Sequence, residues 1–215
     1  LEKESNPLMN KYDQKYFEET TFGLTGNPLR DSLSKLVYRS APLVRALMIK
    51  LFLHPKTVLD VGCGKGTLVL WLRRLGVEAF GVDLSDYTLK NAPASARKYL
   101  RRANVLDLPF KSGSFDLVTT FALLEHIPEK DLPKAIKECQ RVAKRQTLHK
   151  IYGTSRFEQI FPVKDPTHVT VRSYRWWQKL FQQLNLRPSK KFLLRWEAGI
   201  FLLEGEFLKG KVGLK

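Results

Sequence analysis

Acidic residues are scarce in this chain. Against 37 lysines and arginines stand 21 aspartates and glutamates in 215 residues, a formal charge of +16 with a pI near 9.9. Such an imbalance favours anionic partners such as RNA, phosphorylated metabolites or acidic membrane surfaces. Cysteine is nearly absent: Cys63 and Cys139 allow one disulfide at most, which excludes a disulfide framework and favours a reduced, cytoplasmic setting. Long apolar runs are missing too. The longest candidate, Ala41 to Leu53, is broken by Arg45 and Lys50, and Leu1 to Asn10 is too mixed and polar for a signal peptide, so neither a membrane span nor a leader is expected. A native start at Met9 is expected, with residues 1–8 an appended remnant. The four histidines, His54, His126, His149 and His168, lack ligand spacing in sequence, so no metal is expected. There is no internal repeat and no low-complexity tract.

What the chain does have is enough apolar material for one α/β core with a small accessory segment, at 43% hydrophobic residues. Its most informative stretch is Val58-Leu59-Asp60-Val61-Gly62-Cys63-Gly64-Lys65-Gly66, a β-branched and aliphatic run that opens into three alternate glycines. A strand of this kind ends in a tight turn whose glycines let a ligand approach the backbone and the N–H groups of the next helix. That helix follows, with Leu68, Val69, Leu72 and Leu75 on one face and Gly76 as its C-terminal cap.

The pattern argues against a dinucleotide. Glycines fall as G-x-G-x-G, position 67 is Thr67, and Asp60 precedes the first glycine by two residues, whereas a pyrophosphate fingerprint reads G-x-G-x-x-G/A. A second aliphatic run ends in Gly81-Val82-Asp83, where a carboxylate can accept hydrogen bonds from both hydroxyls of a ribose. A third, Ala103 to Asp107, precedes Leu108-Pro109-Phe110 and the strand Phe115 to Phe121. Three acids at three successive strand ends suit a nucleoside that carries an amine and no phosphate.

With these motifs in order, the chain resembles the class I S-adenosylmethionine-dependent methyltransferases over roughly residues 54–150. The resemblance implies an α/β, Rossmann-like class I methyltransferase fold: a mostly parallel seven-stranded sheet flanked by helices, with an N-terminal helical cap. It divides the chain into a cap over residues 9–53 and a cofactor-binding domain over residues 54–215. It also implies S-adenosylmethionine as cofactor, with S-adenosylhomocysteine as product. Gly62, Cys63 and Gly64 would take the methionine moiety, Asp83 the ribose and Asp107 the adenine amino group. Leu84 and Leu108 would enclose the ring, Asp60 would act near the ligand's ammonium or through the loop, and Phe121 would complete the shell.

Helical spacing is expected over residues 11–53, with a break from Gly23 to Pro28, an interruption at Pro42, and Val44, Leu47 and Leu51 among its apolar positions. Further on, the pattern predicts a helix near 130–143, a fifth strand near 147–152, an irregular stretch 153–172, a helix 173–184, and a closing hairpin from 191–196 and 200–208. Strands alternating with helices imply a parallel sheet with its site at the carboxyl ends of the strands.

The exit of the fourth strand, Phe121-Ala122-Leu123-Leu124-Glu125-His126-Ile127-Pro128, faces the acceptor in this fold. His126 is a candidate to take a proton near neutral pH. His168, in Asp165-Pro166-Thr167-His168, is a second candidate for the acceptor side. Tyr12, Tyr16, Phe17 and Phe22 are candidates to close the pocket. The chain lacks the N/D/S-P-P-Y/F/W sequence of exocyclic-amine methyltransferases and a cysteine at a strand end for pyrimidine C5 chemistry. Basic groups fall at Lys134, Lys137, Arg141 and Lys144, at Arg97 to Arg102, and around Trp176 and Trp177; the first reads as a solvated helix face. Three readings stay open: a methyltransferase acting on O or N of a small molecule, an RNA methyltransferase acting on a non-exocyclic-amine position or a modified-base carboxylate, and a non-catalytic cofactor-binding partner of another protein.

Overall fold

The computed structural model describes residues 39–153, 165, 167–187 and 199–204. Six strands form one sheet: β1 (Thr57–Val61), β2 (Glu78–Asp83), β3 (Leu100–Arg102), β4 (Phe115–Phe121), β5 (Ala143–Lys150) and β6 (Ile200–Glu204). Their order is β3-β2-β1-β4-β5-β6, parallel except for β6, which runs antiparallel to β5. The chain winds outward from β1 to β3, then returns to β4 on the other side. This reversal opens a crevice between the carboxyl ends of β1 and β4, the place where open α/β sheets receive ligands.

Both faces are covered, because the central strands alternate apolar side chains to each side. Val58, Leu117, Leu148 and Leu202 point to a layer formed by α1 (residues 39–48, continued by a π turn Ile49–Leu53) and α2 (Thr67–Arg74). Leu59, Val118 and Leu203 point to the opposite layer, formed by α5 (Leu132–Val142) and α6 (Tyr174–Gln183). Two short helices, α3 (Asp86–Lys90) and α4 (Ala94–Arg97), connect β2 to β3. Ser85 caps α3 and Ser173 caps α6 by accepting backbone N–H bonds from Thr88 and Trp176. Trp177 is fully buried and Trp176 packs beside it, so this pair belongs to the core. His149 is likewise a core residue: its ring lies between the hydroxyls of Thr120 and Thr147, each at 2.9 Å, and burial pulls its pKa down to about 3.

Three sequence expectations change. The third strand is Leu100–Arg102, not Ala103 to Asp107: the Asn104 side chain accepts from Leu106 N and its carbonyl from Asp107 N, which bends that stretch into a turn. Pro42 does not interrupt α1, which is helical from residue 39 through 48. The apolar positions of α1 are also redistributed. Ala46, Ile49 and Leu53 pack on the sheet, while Val44, Leu47, Leu51 and Phe52 are exposed at 50%, 38%, 60% and 65%. Apolar residues surround this helix on nearly every side, so periodicity alone could not select the packed face. Tyr12, Tyr16, Phe17 and Phe22, the break at 23–28 and the first arm of the expected hairpin lie outside the described residues. Among the described residues the sheet has six strands rather than seven, and no helix is long and apolar enough to cross a membrane.

Candidate functional site

At the end of β1 the chain turns back across β2. Gly62 N and Cys63 N both donate to Val82 O, at 2.8 and 3.0 Å, and Gly62 and Gly64 adopt φ of 76° and 54°, the left-handed region that glycine enters without penalty. A Cβ on Gly62 would lie 3.0 Å from the Leu123 side chain, so the end of β1 and the exit of β4 meet at this glycine. Asp83, at the end of β2, fastens the turn: Gly64 N donates to its Oδ2 at 2.8 Å and Ser85 N to its Oδ1 at 2.9 Å. Burial raises the Asp83 pKa, and the backbone donors oppose that rise.

Asp60 lies beneath this turn. It is 4% exposed, Thr119 Oγ1 donates to its Oδ1 at 2.8 Å, and burial lifts its pKa to about 7 against the lowering effects of Thr119 and of Arg45 on α1. A carboxyl poised near neutrality ionises readily when a positive charge arrives. Cys63 donates its thiol to Gly64 O at 3.6 Å, and burial together with Asp60 and Asp83 pushes its pKa well above the usual range. Its environment suppresses the thiolate, so it acts as packing under Gly81 rather than as a nucleophile. Cys139 is buried with its pKa near 12, and both thiols are free.

Further along the same edge, Asp107 is exposed and Leu108 is buried, at 2%. Leu84 is half-buried. The Leu108 to Phe110 segment is clamped from below by α5. Leu108 N donates to Glu138 Oε2 at 3.0 Å, while Arg141 donates to Leu108 O at 2.9 Å, to Phe110 O at 2.8 Å and to both oxygens of Glu138. Arg141 is therefore not part of a merely solvated face. Its guanidinium holds a loop, and in doing so keeps the Glu138 pKa low.

The exit of β4 is assembled differently. Phe121, half-buried, lies under the Arg45 guanidinium at 4.6 Å, and both line a cavity of about 130 Å³ with Met48, Ile49, Leu148 and Lys150. Ala122 then takes φ of 54°, a left-handed conformation that an alanine adopts only at a cost, and the chain enters a 3₁₀ turn, Leu124–His126. Glu125 and His126 are buried, at 0% and 6%. The segment before α6 docks on this turn: Val169 N and Thr170 N donate to Glu125 O, Thr170 Oγ1 donates to Ile127 O at 2.7 Å, and Tyr152 N donates to Glu125 Oε1 at 2.8 Å. The docking brings the two candidate histidines together, with ring centroids 4.7 Å apart and the Tyr152 ring 4.9 Å from His168.

Asp60, Gly62, Cys63, Gly64 and Asp83 thus gather at the ends of β1 and β2, Leu108 and Asp107 follow in the next loop, His126 and His168 meet beyond the exit of β4, and Phe121 lies apart from them against α1. Arg45, Glu138, Arg141, Asp165 and Thr167 carry geometry that the sequence reading did not assign. Their signal is weak in sequence because most of them act on residues far along the chain; Thr167 and His126, which share a hydrogen bond, are 41 residues apart.

Comparison with known proteins places this geometry in context. Residues 59–149 match the family described as a methyltransferase domain. A norajmaline N-methyltransferase of Rauvolfia serpentina is 38% identical over 97 residues, covering 41% of this chain and 32% of that protein. A ubiquinone biosynthesis O-methyltransferase of Idiomarina loihiensis is 37% identical over 99 residues, covering 43% of this chain and 40% of that protein. The chain therefore matches only about a third to two fifths of the length of these two relatives. Among solved structures, the magnesium protoporphyrin IX methyltransferase of Synechocystis PCC 6803 with bound S-adenosylhomocysteine superposes with a TM-score of 0.65 at 14% identity, covering 92% of this chain and 96% of that one, which establishes a shared fold.

Proposed function

From residues 59–149, a class I S-adenosylmethionine-dependent methyltransferase domain, we propose that the chain transfers a methyl group from S-adenosylmethionine to an oxygen or nitrogen of a small-molecule acceptor. The observation that carries the reading is the fastening of the glycine turn by Asp83 at the switch point of the sheet, with the Leu124–His126 turn facing it across the crevice.

The residues present fit the cofactor. Gly64 leaves room at the turn: among the described residues a Cβ there would touch only Thr88 Cγ2, at 3.8 Å, whereas Gly62 is packed against Leu123. The Asp83 oxygens accept backbone N–H bonds, Oδ2 from Gly64 and Oδ1 from Ser85, and a carboxylate has about four acceptor sites in all, which leaves capacity for ribose hydroxyls. Asp60, with its pKa near 7, supplies a carboxylate to a cationic ligand, and the Arg45 charge acts on it from α1. Leu84 offers an apolar wall and the exposed Asp107 an acceptor for an exocyclic amine, with Leu108 packed in the core beneath.

When bound, the cofactor supplies an electrophilic methyl group on a positively charged sulfur. The chain's own work is then positional. Asp83 and the glycine turn fix one end of the ligand, and the clamp of Glu138 and Arg141 fixes the loop at the other. Orientation of this kind is worth on the order of 7–11 kcal/mol in well-aligned systems. The acceptor's proton must leave as the new bond forms, and His126 and His168 are the groups assigned to assist its loss. The relatives' printed names, one N- and one O-methyltransferase, support an amine or hydroxyl acceptor.

Titration calorimetry tests the reading. S-adenosylmethionine and S-adenosylhomocysteine should bind the wild-type chain, and Asp83→Ala should weaken both by about 1.5–3 kcal/mol, the range for hydrogen bonds to a charged group. Tight binding of a nicotinamide dinucleotide with no binding of either ligand would overturn it.

A further inference from the structure

We infer that His126, Asp165 and His168 form a binding site for a divalent transition-metal cation on the acceptor side of the crevice. Wide separation in sequence argued against a metal, and the fold closes it. One ligand atom from each residue lies within 4.8 Å of the other two, and the side chains of Asp165 and His168 are 3% and 7% exposed.

The internal hydrogen bonds dispose these groups as ligands. Thr167 Oγ1 donates to Asp165 Oδ1 at 2.6 Å, so in its 2.9 Å bond to His126 it must accept, and His126 Nδ1 carries the proton. The lone pair of the imidazole is then on Nε2. Thr167 N also donates to Asp165 Oδ1, at 2.8 Å, which anchors that oxygen, and Oδ2 lies on the side of His168 Nε2. The Oδ2 to Nε2 separation is 3.7 Å, too long for a hydrogen bond. Two ligands bonded to one ion at ~2.1 Å with a tetrahedral angle lie roughly 3.4 Å apart, close to this spacing, so the pair can close on one cation with a small shift. An imidazole whose second nitrogen donates to an oxygen that is itself held in place is the usual outer arrangement of metal-bound histidine.

Two imidazole nitrogens and one carboxylate favour Zn²⁺, Co²⁺, Ni²⁺, Fe²⁺ or Mn²⁺ over Ca²⁺ or Mg²⁺, which prefer all-oxygen sets. Three protein ligands leave coordination positions open, the mark of a site that receives a substrate. This inference rests on the acceptor side of the proposed methyl transfer. An acceptor hydroxyl held there would lose its proton to water more easily, and its oxygen pair would form the bond to the methyl carbon as the carbon–sulfur pair returns to sulfur.

The test uses untagged, chelator-stripped protein titrated with Co²⁺ and Zn²⁺, followed by calorimetry and by the visible absorption of Co²⁺. One saturable equivalent is expected, lost in His126→Ala and in His168→Gln, and weakened about 10–100-fold in Thr167→Val, the range for losing an outer-shell partner. Absence of a saturable equivalent in the wild-type chain, or equal binding in the His168→Gln chain, would overturn the site. S-adenosylhomocysteine titrated into the same stripped samples keeps the two claims apart. Cofactor binding without metal binding removes the metal site alone, whereas metal binding without cofactor binding removes the methyltransferase reading alone.

Discussion

The two sides of the crevice are built by opposite means. At the β1 and β2 ends the glycine turn is closed largely by its own stretch of chain: its backbone N–H groups meet Val82 O and the Asp83 carboxylate, with Thr119 and Leu123 reaching in at Asp60 and Gly62. At the β4 end, the Leu124–His126 turn is held by residues far along the chain: Thr167 bonds His126, and Val169 and Thr170 bond Glu125 O and Ile127 O. In the function proposed above, the locally built side takes the cofactor and the assembled side the acceptor.

Separating the two sides is the largest effect to look for. Replacing His126 or His168 with alanine should lower turnover about 10²–10⁴-fold, the usual size of assistance to proton removal, with cofactor affinity nearly unchanged. The comparison breaks if either replacement abolishes cofactor binding in a folded chain, as judged by circular dichroism. A screen of amine and hydroxyl acceptors with labelled donor supplies the assay.

A smaller and pH-dependent effect belongs to Asp60. Its pKa of about 7 in the folded chain exceeds the ordinary 3.8, so the folded state holds a proton that the unfolded state has released. The stability contributed by this group is complete below about pH 4 and is lost as pH rises through 7. Asp60→Asn should therefore raise thermal stability relative to wild type at pH 8 and have little effect at pH 4. A cationic ligand favours the ionised carboxyl, so cofactor affinity of the wild-type chain should tighten from pH 5 to pH 8, and that trend should flatten in Asp60→Asn. A variant that keeps the full trend would remove Asp60 from the cofactor end.

The same contrast governs what could be read from the sequence. The turn at Gly62 to Gly64, Asp83, the helix over 67–74 and the helix over 174–183 were legible because each depends on neighbours in sequence: alternate glycines, an acid at a strand end, an apolar stripe, a serine cap. β3 was misplaced because Asn104 makes a turn whose consequence depends on where Leu100 packs, over Gly66 and Gly81. The pairing of His126 with His168 and Asp165 was not legible, since only the docking of one loop on another creates it. Arg141 was mistaken for part of a solvated face because a helical projection cannot show which carbonyls lie under it.

Arg141→Ala should act on the far end of the donor side. Losing bonds to Leu108 O and Phe110 O frees the loop, and a weakening of cofactor affinity of about threefold to tenfold is expected, with a fall of a few degrees in Tm. Unchanged affinity would mean that the 107–110 loop does not touch the cofactor. The smallest effect belongs to Ala122→Gly. Relief of the left-handed φ and the added freedom of the unfolded chain oppose one another, so stability should move by less than about 1 kcal/mol in denaturant titration. A loss well beyond that would show that the alanine methyl is itself packed against something essential.

The division of labour is tested most directly by calorimetric titration of S-adenosylhomocysteine into three folded proteins: wild type, Asp83→Ala and His126→Ala. The expected result is equal affinity for wild type and His126→Ala, with Asp83→Ala weaker by about tenfold or more. Equal affinity in all three, or a loss confined to His126→Ala, would contradict it.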